Sequence, residues 1–80
     1  MNPKYPILNR LKGKIKEEGE TYRTVSAKTG IPLNSLSNKI NGYSLFDISE
    51  AADLCNALKI PPEEIPYFFA VDIAKRNNLA

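Results

Sequence analysis

The sequence predicts an all-α protein, a compact domain of five short helices with a short C-terminal strand. Three observations predict it. Apolar residues recur at three- and four-residue spacing through most of the chain, the period of a helix with one buried face. Glycines, prolines and capping residues cut that period into short segments. Finally, 80 residues supply a single core, since a domain of this size buries only about 60% of the surface of its unfolded chain.

The elements follow in order. Leu8, Leu11 and Ile15 fall on one face of a first helix over residues 6–18, which Pro6 opens and Gly19 closes. Thr21 is placed to cap a second helix over residues 22–29, with Val25 as its main core contact. Gly30, Ile31 and Pro32 then make a break: a cap, a core plug, and a residue that cannot continue the hydrogen-bond ladder. A third helix over residues 33–40 buries Leu36 and Ile40, and Asn41-Gly42 stops it. Asp47 and Glu50 have the spacing of a reciprocal cap on a fourth helix, whose apolar stripe is Ile48, Ala51, Cys55 and Leu58, with Leu54 beside them. Pro61 and Pro62 with Glu63 and Glu64 open a fifth helix, which Pro66 is expected to cut to a single turn around Ile65. Beyond it, Tyr67, Phe69, Val71 and Ile73 alternate with Phe68, Ala70 and Asp72. That period of two favours a strand, although residues 69–73 also fit a helix. An apolar edge strand needs a partner, which points to pairing with a second copy or folding onto the core. Residues 1–66 therefore read as the domain and 67–80 as an extension.

Composition narrows the function. With no histidine and one cysteine, the usual nucleophile, base and metal-ligand sets cannot be assembled, so neither an enzyme nor a metal site is expected. Cys55 reads as a small buried hydrophobe. No apolar run approaches the roughly 20 residues that cross a bilayer, and the N-terminus lacks a secretory pattern, so a soluble cytoplasmic chain without a membrane partner is expected. The net charge of +2 hides an asymmetry: residues 1–42 hold eight basic side chains against three acidic ones, a net +5, whereas the remainder carries −3. One end is built to meet a polyanion.

Residues 22–42 form a helix, a glycine-containing turn and a second helix whose outward positions are small and polar. A helix of that kind can enter the major groove of DNA without its own bulk holding it away. Asn34, Ser37 and Asn38 suit base edges, asparagine by paired hydrogen bonds to adenine, and Leu33 suits a thymine methyl. Lys39, Asn41, Tyr43 and Ser44 are better placed for phosphates, as are Tyr22 and Arg23 at the start of the preceding helix.

The segment YRTVSAKTGIPLNSLSNKING, residues 22–42, resembles the helix-turn-helix of the phage repressor and Cro-like family, and the likeness continues through residues 46–65. Val25, Gly30, Ile31, Leu36, Ile40 and Asn41-Gly42 carry it together. The resemblance implies a recognition helix reading bases through Leu33, Asn34, Ser37 and Asn38. It also implies a transcriptional regulator in a bacterial host, bound to operator DNA. One copy contacts few base pairs, so a homodimer is expected, with the alternating Tyr67, Phe69, Val71 and Ile73 as the dimer segment. No cofactor or small-molecule ligand is expected. Tyr22 stands where the family usually has glutamine, Ser26 where alanine is usual, Thr29 where leucine is common, and Pro32 where a capping serine is frequent. The alternative reading is a small module that binds another repressor or the transcription machinery without specific DNA contact of its own.

Overall fold

A computed structural model describes residues 2–69. It contains α1 (Asn9–Glu17), α2 (Tyr22–Thr29), α3 (Leu33–Ile40), α4 (Ile48–Leu58), a 3₁₀ turn (Pro62–Glu64) and α5 (Ile65–Phe69), so the expected all-α, five-helix architecture is the one observed. Helices of eight residues are not stable alone, because nucleation costs more than two turns return. They persist here by burying one face each. The shared core consists of Leu11, Ile15, Val25, Ile31, Leu36, Ile40, Leu54, Cys55, Leu58 and Ile60, with Leu8, Tyr22, Phe46, Ile65, Phe68 and Phe69 packed around it. α2 lies against both α3 and α4, while α5 packs on α1 and α4.

Local chemistry sets the boundaries. Thr21 and Thr24 cap α2 reciprocally: the Thr24 amide donates to Thr21 Oγ1 and the Thr21 amide to Thr24 Oγ1. Asp47 and Glu50 do the same at α4, as their spacing predicts. Pro32 precedes α3 without any side-chain cap. The turn between α2 and α3 is held instead from the α2 side. Ser26 Oγ donates to the Ile31 carbonyl at 2.5 Å, Thr29 Oγ1 donates to the Val25 carbonyl at 2.8 Å, and the Ile31 amide donates back to Thr29 Oγ1 at 3.3 Å.

Four expectations need correction. The first helix begins at Asn9, three residues beyond Pro6, because the Leu8 amide is bonded to the Ile40 carbonyl and the preceding backbone lies across the end of α3. Ile48 is 90% exposed rather than buried. It opens the first turn of α4, whereas the buried residues of that helix, Leu54, Cys55 and Leu58, all lie in its second half. Pro66 does not terminate the last helix. It lies in the first turn of α5, where a missing N–H costs nothing. Tyr67, Phe68 and Phe69 are accordingly helical, not extended. Phe69 meets Phe46 edge to face at 5.7 Å, and that core contact settles the ambiguity of period in favour of the helix. Val71 and Ile73 lie outside the described residues.

Candidate nucleic-acid interface

The second helix of the α2-turn-α3 unit offers two faces. Leu36 and Ile40 are fully buried and lock α3 against the core. Leu33, Asn34 and Asn38 are exposed, and Ser37 is half-buried beside them. At about 100° per residue these four cover roughly 140° of the helix surface, so the structure brings together the four residues chosen for base contact. The rigid unit behind them is the Gly30 turn, whose φ of +79° is a backbone state that side chains disfavour.

The residues expected at phosphates are less uniform. Arg23 is exposed, with no ion-pair partner among the described residues. Tyr43 is exposed and Ser44 half-buried in the loop after α3. Tyr22 is half-buried, its ring packed on the core, and burial pushes its hydroxyl pKa up. Asn41 spends its Nδ2 at the end of α3, donating to the Ser37 carbonyl at 2.9 Å. Lys39 is turned away onto α4, where its ammonium meets both carboxylate oxygens of Glu50. Both of these side chains already hold an internal partner.

Two features had no counterpart in the sequence reading. Residues 2–8 pack on the C-terminal end of α3, with the amides of Lys4 and Tyr5 both donating to the Gly42 carbonyl at 3.0 Å. An apolar groove of about 570 Å3 also opens between that segment, the loop before α4 and α5, with Ile7, Leu45, Ile48 and Tyr67 on its walls. Those four side chains are exposed, and the Arg10 guanidinium stacks over the Tyr67 ring at 4.2 Å. The only legible sign was the number of large apolar residues beyond those needed for the core stripe. Among the described residues no group of His, Cys, Asp and Glu is arranged to hold a metal, and no helix is long and apolar enough to cross a membrane.

A buried helix-turn-helix with a small polar outward face, followed by two further helices that close the core, is the architecture of a DNA-binding domain. Comparison with protein families agrees: residues 10–70 match the family of the Cro/C1-type helix-turn-helix DNA-binding domain, and the chain belongs to that family. Comparison with curated proteins gives no match.

Proposed function

We propose that the chain is a sequence-specific transcriptional regulator, of phage or prophage origin and acting in the bacterial cytoplasm, that lays α3 in the major groove of its operator. The observation that carries this is the outward face of α3. Its exposed positions are two short amides and one leucine, held rigidly over Leu36 and Ile40. In this reading Asn34, Asn38 and Ser37 hydrogen-bond base edges and Leu33 meets a thymine methyl. Arg23, Tyr43 and Ser44 hold phosphates, and Tyr22, Lys39 and Asn41 mainly keep the helix ends in place.

One copy contacts too few base pairs for useful discrimination, so the functional unit is a homodimer on a two-fold site with half-sites about 34 Å apart. The exposed apolar rim of Ile7, Leu45, Ile48 and Tyr67 supports such an assembly, and Tyr67 belongs both to that rim and to the expected dimer segment. The test is selection from a random duplex pool, then titration of an enriched site against a scrambled one. A symmetric motif bound at least about 10³-fold more tightly than the scramble is the expected result. Absence of enrichment, with a stoichiometric protein partner found instead, would replace this reading by that of a regulator acting through another protein.

A further inference from the structure

The Gly42 carbonyl, just past the last turn of α3, takes two hydrogen bonds from consecutive amides of a remote segment, those of Lys4 and Tyr5, each at 3.0 Å. The Ile40 carbonyl takes a third from the Leu8 amide at 2.9 Å. Carbonyls in the last turn of a helix have no partner within it, so residues 2–8 satisfy acceptors that would otherwise need water. The contact is close enough to dictate the residue at 42. A Cβ there would overlap the Tyr5 carbonyl oxygen and press on Pro3 Cβ at 3.1 Å, and the φ of +88° disfavours a side chain independently. Pro3 and Pro6 narrow the backbone freedom of the same stretch. Lys4 is thereby fixed beside the loop that begins at Tyr43. Its side chain is exposed and has no ion-pair partner among the described residues, unlike Lys14, Lys28 and Lys39.

We propose that residues 2–8 form a second DNA-contacting element, in which Lys4 binds a backbone phosphate alongside the recognition helix and Gly42 is the seat that places it. The inference rests on α3 lying in the major groove: a lysine anchored at its C-terminal end then faces the sugar-phosphate wall. A phosphate contact adds affinity without reading sequence, and its signature is electrostatic. Each neutralised phosphate contributes about 0.9 to the slope of log affinity against log salt.

The test is titration of the full chain with a labelled B-form duplex between 50 and 200 mM salt, for wild type, Lys4→Gln, Gly42→Ala, the double variant and Lys59→Gln. Lys59 follows the last residue of α4, about 16 Å along that helix from the end nearest α3, and serves as the charge-matched control. Lys4→Gln is expected to lower the slope by about 0.9, so that its deficit relative to wild type shrinks about 3.5-fold across that salt range, equally on specific and scrambled duplexes. Lys59→Gln keeps the wild-type slope. Gly42→Ala reproduces the loss, and Lys4→Gln adds nothing to it. An unchanged slope in Lys4→Gln overturns the proposal, as does an equal drop in Lys59→Gln, which would make the effect one of net charge. Full additivity in the double variant overturns the seating role of Gly42. A wild-type chain that binds no duplex in a salt-dependent way overturns the major-groove reading itself, and this inference with it.

Discussion

Lys39 Nζ lies 2.6 Å from Glu50 Oε1 and 2.7 Å from Oε2, tying the last turn of α3 to the first turn of α4. Glu50 Oε1 also accepts the Asp47 amide at 2.9 Å, so one carboxylate both caps α4 and anchors the recognition helix. Both side chains are only 19% exposed, which limits screening by solvent. The two roles can be separated. Glu50→Gln retains an oxygen for the cap and loses the charge, with an expected cost of about 1 kcal/mol; Glu50→Ala loses both and should cost about 2 kcal/mol. Urea unfolding of the two variants reads the difference. Equal costs would mean that the cap contributes nothing once the ion pair is gone.

Removal of base contacts should leave a different trace from removal of phosphate contacts. Asn34→Ala and Asn38→Ala are expected to weaken binding to the specific site by about 1–3 kcal/mol and to leave scrambled duplex nearly unaffected. Both side chains are exposed, so stability should not change, and competition titrations with the two duplexes check the prediction directly. Variants as tight as wild type on the specific site would remove these asparagines from the interface.

Two glycine-to-alanine substitutions should act with opposite sign. Gly13 lies inside α1, and a Cβ there meets nothing within 4 Å. Gly13→Ala is expected to stabilise the fold by about 0.5–1 kcal/mol, because alanine loses less conformational entropy in a helix. Gly30 also has open space around it but holds φ at +79°. Gly30→Ala should therefore cost about 1–2 kcal/mol, although no contact is lost. Thermal or urea unfolding separates the pair. A neutral Gly30→Ala would show that the turn relaxes without strain.

Local signals in the sequence were legible because they depend on residues three or four apart. The Asp47 and Glu50 cap, the Gly30 cap and the stop at Asn41-Gly42 are decided within one turn of chain, and each is found as read. The outward set Leu33, Asn34, Ser37 and Asn38 is legible for a similar reason, since Leu36 and Ile40 fix which face is buried. Ile48, Pro66 and Lys39 are different. Whether Ile48 is covered depends on where α4 ends against α2, and Pro66 could stop a helix or begin one. Lys39 reads as an unpaired cation in the sequence, because its partner Glu50 stands eleven residues away. The docking of residues 2–8 onto Gly42 joins the two ends of a 40-residue stretch, and no periodicity announces such a contact. Tyr67 to Phe69 misled because a period of two and a period of 3.6 agree over so few residues, and packing against Phe46 decided between them.

Acid should expose the network that binds α2 to the turn before it. The Glu20 carboxylate accepts a hydrogen bond from the Lys28 ammonium at Oε2 and from Thr24 Oγ1 at Oε1, the latter at 2.6 Å. Lys28 first, then Thr24, hold its pKa below the usual carboxylate value. A carboxylate whose pKa is lower folded than unfolded binds fewer protons in the native state. Its stabilising contribution is therefore complete above the ordinary carboxylate pKa of about 4.3 and is lost as the pH falls from there through the lowered value. Glu20→Gln carries no such titration. The melting temperature of wild type should exceed that of Glu20→Gln at pH 7, and the two should converge as the pH is taken from 5 towards 2. Thr24→Val removes the second donor and also the acceptor of the Thr21 amide, so it should melt below wild type at every pH and show a smaller acid-dependent loss. Parallel melting curves for wild type and Glu20→Gln across that range would show that the Lys28 and Thr24 contacts do not couple Glu20 ionisation to folding.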